Sequence, residues 1–205
     1  MTDLTLYTNP MSRGRTARAM LEEVGQPYAA RIVPYGPEMQ SADYRHINPM
    51  AKVPALVHGE AVVTEVAAIC AYLADAFPDA GLAPPPGDPS RGPYYRWLFF
   101  AAGPFEMAIT VDAMGWDLAP EREATVGWGS TGRMLDALEG MLADTEWVTG
   151  RFSAADVFLG SSLAFALRFG TVEARPAFEA YAARVTARPA FLRAAAADDA
   201  AMAGA

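Results

Sequence analysis

The sequence predicts an α/β domain carrying a mixed four-stranded sheet, followed by an all-helical domain. Three observations predict it. The hydrophobic period switches repeatedly over residues 1–79, residues 80–90 form a Pro/Gly-rich linker, and beyond it, over 91–205, the strand signal nearly vanishes. A chain of 205 residues is compatible with one or two domains and is long enough to bury a sizeable core.

Each element has its own signal. Leu4-Thr5-Leu6-Tyr7 alternates and reads as a short strand, and Asn9-Pro10 punctuates it. Over 12–24 the apolar residues Ala17, Met20, Leu21 and Val24 follow helical spacing, with Ser12 as a plausible N-cap. Gly25 stands where a left-handed cap residue is wanted, and Pro27 follows. Residues 29–33 supply a second strand, which a right-handed crossover would set parallel to the first. A polar stretch over 34–48 holds at most a short helix. Val53-Pro54-Ala55-Leu56-Val57 and Ala61-Val62-Val63, separated by His58-Gly59-Glu60, read as a β-hairpin. Thr64 is the expected N-cap of a helix that runs through Ile69, Tyr72 and Leu73 until Pro78 ends it. The order is β-α-β, a connection, then β-β-α.

Six prolines and three glycines crowd residues 78–93, where little ladder or helix bonding can form. Beyond them 94–115, 120–143, 154–169 and 176–187 look helical, with Gly103-Pro104 interrupting the first. Ser153-Ala154-Ala155-Asp156 fits a capping box, Ser-x-x-Asp, and reads as structural. The Ala-rich tail from Ala194 to Ala205 is expected to fray.

Composition excludes several function classes. Hydrophobic residues make up 52% and charged residues 20%, which is ordinary globular material. Lys plus Arg number 16 against 24 Asp plus Glu, a formal net charge of -8, so no nucleic-acid partner and no anionic membrane surface is expected. No apolar run is long enough to span a bilayer, and Met1-Thr2-Asp3-Leu4 does not open a signal peptide. A cytoplasmic location is the default. The single cysteine, Cys70, allows no intrachain disulfide and no Cys-x-x-Cys pair, and mid-helix it reads as a buried small hydrophobe. Two histidines, His46 and His58, are too few for a His-rich metal site, so no metal is expected; both read as surface or turn residues.

A handful of residues can carry chemistry. Val53-Pro54 is either an ordinary trans Pro at a strand start or a cis peptide that leaves the Val53 N–H and C=O beside the sheet edge, able to pair with an extended peptide. Ser12 either caps its helix or donates its hydroxyl to an anion held at the helix N-terminus. Tyr7 is the rival hydroxyl, or a half-buried strand aromatic. Glu65 and the Val66 amide, at the next helix start, could hold a ligand's ammonium and carboxylate, or simply suit the helix dipole. Lys52 and Arg13 could add cationic contacts or be solvated surface charges.

Together and in this order these segments resemble the glutathione transferase family. The likeness is carried by Leu6-Tyr7-Thr8-Asn9-Pro10-Met11-Ser12-Arg13-Gly14-Arg15, by Leu21-Glu22-Glu23-Val24-Gly25-Gln26-Pro27-Tyr28 and by Asn48-Pro49-Met50-Ala51-Lys52-Val53-Pro54-Ala55-Leu56. Thr64-Glu65-Val66-Ala67-Ala68-Ile69-Cys70-Ala71-Tyr72-Leu73 and Phe152-Ser153-Ala154-Ala155-Asp156-Val157 continue it. The resemblance implies a thioredoxin-like N-terminal domain, a helical C-terminal domain and a homodimer. It implies that Pro54 is cis and that the Val53 main chain pairs with the cysteinyl backbone of glutathione. Glu65 would meet the γ-glutamyl end, the Val66 N–H its carboxylate, and Lys52 the glycyl carboxylate. Ser12, five residues after Tyr7, matches the thiol-activating serine of serine-type members, and that spacing favours Ser12 over Tyr7.

The implied activity is attack of the activated glutathione thiol on a small hydrophobic electrophile held against the helical domain, where Phe105, Met107, Trp116 and Phe165 are candidates. Many members carry Ser or Thr where this chain has Val66. Two alternatives stay open: a non-catalytic ligand-binding or interaction protein of the same fold, and a glutathione-dependent isomerase.

Overall fold

The structure, a computed structural model, describes residues 4–203. The leader reading begins in residues 1–3 and the tail reading ends in 204–205, and those positions lie outside the described residues. The chain divides into two compact units. One comprises the chain to Leu82 together with everything from Arg188 onward, and the other spans Ala83–Ala187.

The first unit is built on β1 (Leu4–Thr8), α1 (Gly14–Val24), β2 (Ala29–Ile32), α2 (Ala42–Ile47), β3 (Ala55–His58), β4 (Ala61–Thr64) and α3 (Val66–Ala76). The strands form one mixed sheet in the order β2-β1-β3-β4, with β2 parallel to β1 and the other pairs antiparallel. This is the thioredoxin-like arrangement that the family resemblance implies, in the β-α-β, β-β-α order read from the sequence. Leu4, Leu6 and Thr8 alternate inward on β1. With Leu56 they form a core against Ala17, Met20 and Leu21 of α1 and Ile69, Cys70 and Leu73 of α3, all fully buried.

Local signals set most boundaries. Gly25 ends α1 in the left-handed region at φ 73°, and its N–H donates to the Leu21 carbonyl at 3.0 Å. Two expected caps are displaced. Helix α1 begins at Gly14 with Arg13, not Ser12, in the capping position, although the Ser12 oxygen, two residues before the helix, still accepts the Gly14 N–H. Thr64 is the last residue of β4, paired with Ala55, so the cap of α3 falls to Glu65. His58 is likewise a strand residue and not a turn residue: its Nδ1 lies 2.9 Å from the Tyr72 hydroxyl and its ring stacks on Phe77.

Helix α9 (Pro189–Ala203) departs furthest from expectation. The tail is helical over the described residues, and α9 does not group with the other late helices. It packs along α1 through Arg15–Asp199 at 2.5 Å, Arg18–Asp198 at 2.8 Å and Arg193–Glu22 at 2.9 Å, and Arg188, just before it, pairs with Glu23 at 2.6 Å. The Arg18–Asp198 pair is buried on both sides, and burial pushes the Asp198 carboxyl up against the opposing pull of Arg18. The grouping of 91–205 as one body therefore holds only to residue 187.

The second unit contains α4 (Arg91–Phe100), α5 (Glu106–Ala113), α6 (Thr131–Asp144), α7 (Ala154–Phe169) and α8 (Pro176–Thr186). The Gly103-Pro104 interruption is a π-helical segment, Ala101–Phe105, whose wider turn accommodates the missing proline N–H. The helix expected over 120–143 is split: Pro120–Thr125 is a 3₁₀ turn, and α6 starts afresh after Ser130, whose hydroxyl accepts the Arg133 N–H. The linker is pinned to this unit, because Arg91 donates to the Pro84 carbonyl at 2.8 Å and Arg151 to the Ala83 carbonyl at 3.2 Å. Helices α7 and α8 approach closely where Gly160 faces Val185, leaving no room for a side chain.

The capping box is present as predicted. Asp156, fully buried, accepts the Ser153 N–H at 2.9 Å and its hydroxyl at 2.8 Å. It also accepts the Val148 N–H at 2.9 Å and the Tyr181 hydroxyl at 2.8 Å, tying α7 to α8.

Candidate functional site

The sheet register brings the sequence-predicted residues to one end of the first unit. Tyr7 near the end of β1 pairs with Ala55 at the start of β3, which pairs with Thr64 at the end of β4. The Asn9–Ser12 loop after β1, Lys52-Val53-Pro54 before β3 and Glu65-Val66 after β4 therefore emerge at the same end.

The first loop is held by its own polar groups. Asn9 donates through Nδ2 to the Val33 carbonyl at 3.0 Å and accepts the Met11 N–H at 2.9 Å. Its carbonyl accepts both the Ser12 N–H at 3.0 Å and the Ser12 hydroxyl at 2.7 Å. The Ser12 oxygen in turn accepts the Gly14 N–H at 2.9 Å, the first amide of α1. The serine is thus fed by a helix N-terminal donor, which polarises its own O–H as a donor.

The second loop is clamped from behind. Tyr44 and Asn48 both donate to the Lys52 carbonyl at 2.7 Å. Burial pushes the Tyr44 phenol up to about 12, so it remains protonated and able to donate. Asn48 also accepts the Met50 N–H at 3.1 Å, folding a turn in which Ala51 takes φ 52°. Val53–Pro54 is cis, one of the two forms left open by spacing. The ladder of β3 begins just after it, at Ala55.

At the third segment Glu65 has φ 66° and ψ 122°, a conformation that costs a non-glycine residue energy and is retained chiefly at functional sites. The first bond closing α3 is Ile69 N–H to the Glu65 carbonyl at 2.9 Å. The Val66, Ala67 and Ala68 amides precede that bond and form the donor end of the helix. Lys52, Arg13 and Glu65 are exposed, while Pro54 and Val66 are buried.

Tyr7 is half-buried in a cluster with Val33, Met39, Tyr44 and Val53, its ring 6.0 Å from that of Tyr44 and covered by Arg31 at 5.9 Å. It points to the sheet face opposite Thr8. Cys70 is fully buried, and burial pushes its thiol up to about 12. A thiol reagent is expected to find no reactive thiol in the native protein and one per chain after denaturation; titration of one thiol under native conditions contradicts this.

Of the residues proposed to meet an electrophile, Phe105 is fully buried core of the second unit, while Met107, Trp116 and Phe165 are exposed there. Asn9, Tyr44 and Asn48 received no role from sequence reasoning, although Asn9-Pro10 and Asn48-Pro49 are the loop signature that such side-chain staples leave. Among the described residues no group of three or more His, Cys, Asp or Glu side chains could hold a metal ion. Among them, too, no helix is long and apolar enough to cross a membrane.

The class of protein that the fold and these loops define is a thioredoxin-like unit with a cis-Pro loop, a strained helix-start Glu and a hydroxyl at the first helix, followed in the chain by a bundle of helices. Residues 6–85 match the family described as glutathione S-transferase, N-terminal domain. Glutathione S-transferase GstA of Escherichia coli O157:H7 is 32% identical over 72% of this chain and 74% of its own. Maleylacetoacetate isomerase of Pseudomonas aeruginosa is 30% identical over 93% of each chain. A sphingomonad glutathione S-transferase solved in complex with glutathione superposes with a TM-score of 0.76 at 28% identity, covering 95% of this chain and 98% of that one. The chain belongs to the glutathione transferase family and is an enzyme of that kind.

Proposed function

We propose that this protein binds glutathione at the shared sheet end and transfers it to a small hydrophobic electrophile. The observation that carries the reading is the Ser12 hydroxyl, which accepts the first amide of α1 and lies on the loop that emerges beside Val53–Pro54 and Glu65. In this reading the Val53 main chain pairs with the cysteinyl backbone. Lys52 meets the glycyl carboxylate, Glu65 and the Val66 amide meet the γ-glutamyl end, and Arg13 adds positive charge at the mouth.

The chemistry follows from the thiol. A free thiol has a pKa of about 8.5, so only a few per cent is thiolate at pH 7. Lowering that by about two units requires roughly 2.7 kcal/mol. A charge-assisted hydrogen bond supplies about 1.5–3 kcal/mol and a helix N-terminus about 0.3–1 kcal/mol. Ser12 can turn its proton from Asn9 to the sulfur without stranding the Asn9 carbonyl, which keeps the Ser12 N–H. The thiol proton leaves to solvent. The thiolate forms a sulfur–carbon bond, and the leaving group departs with its electron pair. Ser12 acts as a donor and not as a nucleophile, so no general-base histidine is needed.

The test is conjugation of glutathione to an aryl halide alongside ultraviolet thiolate absorbance of the glutathione-bound protein at neutral pH. Turnover with thiolate absorbance supports the reading. Retention on a glutathione resin without either favours a non-catalytic binder. The full-length likeness to a maleylacetoacetate isomerase supports a second reading, glutathione-dependent isomerisation, which a substrate panel separates. A cytoplasmic homodimer completes the proposal.

Val66 gives a further expectation. A hydroxyl there would add a bond to the γ-glutamyl carboxylate, worth about 1.5–3 kcal/mol. Val66→Ser should therefore tighten glutathione about tenfold or more by calorimetry, and equal dissociation constants would refute the placement.

A further inference from the structure

We infer that Thr8 is a positioning residue for the thiol site, its hydroxyl completing the hydrogen-bond shell of Ser12 when Ser12 turns toward the sulfur. The inference rests on the Ser12 reading above and assigns a role to a residue that reading leaves unused. Thr8 is 0% exposed, and its Oγ1 has no hydrogen-bond partner among the described residues. A buried hydroxyl without a partner is costly, and a valine of the same shape would avoid that cost.

Its location shows what it can serve. Thr8 Oγ1 and Ser12 Oγ both lie within 2.9 Å of one point, the place a side-chain carbon on residue 14 would take. Gly14 is thus the gap through which strand β1 presents a hydroxyl to the start of α1. A serine hydroxyl offers one donor and two acceptor positions. At Ser12 the donor goes to the Asn9 carbonyl and one acceptor position takes the Gly14 N–H. The Ser12 oxygen, with its remaining acceptor position, and the orphaned Thr8 hydroxyl flank the same gap at Gly14. When the Ser12 proton turns to a thiolate, charge builds on its oxygen, and a small side-chain rotation lets Thr8 donate to it. No bond is made or broken; the Thr8 proton stays on Thr8. Each added donor strengthens the next bond in the chain, so the thiolate is favoured through Ser12 and not by Thr8 directly.

The experiment compares wild type with Thr8→Val, Thr8→Ser and Ser12→Ala, reading thiolate absorbance of bound glutathione against pH, with KM, kcat and melting temperature. Thr8→Val should raise the thiolate midpoint by about half a unit to one unit and so cut the thiolate fraction of bound glutathione at pH 7 about one-and-a-half- to threefold, with kcat falling by no more than that. KM for glutathione and the melting temperature should not fall with it. Thr8→Ser, which keeps the hydroxyl, should restore the midpoint. An unmoved midpoint in Thr8→Val, or a loss confined to KM, overturns the inference. Should Thr8→Val fail to fold, Thr8→Ser against Thr8→Ala isolates the hydroxyl, and equal midpoints in those two overturn it equally. If Ser12→Ala shifts the midpoint while Thr8→Val does not, only this inference falls; if neither shifts, the Ser12 reading falls with it.

Discussion

Ser12→Ala is expected to move the thiolate midpoint of bound glutathione up by about two units and to lower conjugation at pH 7 about three- to fourfold. The magnitude has two parts. Moving a thiol from about 6.5 to 8.5 cuts its thiolate fraction at pH 7 about 25-fold. The more basic thiolate is the better nucleophile, which returns part of the loss. The sign of the pH dependence follows: the variant loses most at low pH and recovers as pH rises through the free-thiol range. KM for glutathione should change little, since Val53, Lys52 and the Glu65–Val66 segment supply the binding in the proposed arrangement. Stopped-flow conjugation across pH, paired with the absorbance titration, checks both. A variant with the wild-type midpoint would move the assignment to Tyr7 if Tyr7→Phe carries the shift, and to the α1 amides if it does not.

The largest stability effect is expected at Asp156. Truncation to alanine leaves the Ser153 N–H and hydroxyl, the Val148 N–H and the Tyr181 hydroxyl without their acceptor inside the second unit. Each unsatisfied buried group costs about 1–3 kcal/mol, partly relieved by relaxation and by removal of a buried carboxyl. The expected loss is about 3–5 kcal/mol, near the upper end for single substitutions. For a chain of this length that lowers the melting temperature by about 10–15 °C, measured by calorimetry. Asp156→Asn keeps one carbonyl acceptor and should fall between alanine and wild type. A loss below about 1 kcal/mol in Asp156→Ala would show that the box only decorates α7.

These two residues differ in how legible they were. Ser153 and Asp156 announce themselves because a capping box is local: the partners are three positions apart, and the bonds close within one turn. That Tyr181, from α8, also donates to Asp156 has no such signature. Ser12 was legible as a residue with two readings, a cap or a donor to an anion, and the structure adds that its hydroxyl accepts the Gly14 N–H from before the helix and donates backward to Asn9. Thr64 failed as a cap for a related reason. Its place in the β4 ladder opposite Ala55 outweighed its capping propensity, and Glu65 took the strained position.

By itself the sequence determined the strand and helix order of the first unit, the stop of α1 at Gly25, the break at Gly103-Pro104 and the segments that carry the family resemblance. All of these rest on period, turn chemistry or bonds spanning a few residues, which are written in the spacing. Tertiary structure alone decided that α9 lies along α1, that Tyr44 and Asn48 clamp the Lys52 carbonyl, and that Thr8 fills the space beside Gly14. Those contacts join groups that the backbone path brings together only once the sheet has closed, so burial and register, and not local propensity, select the partners.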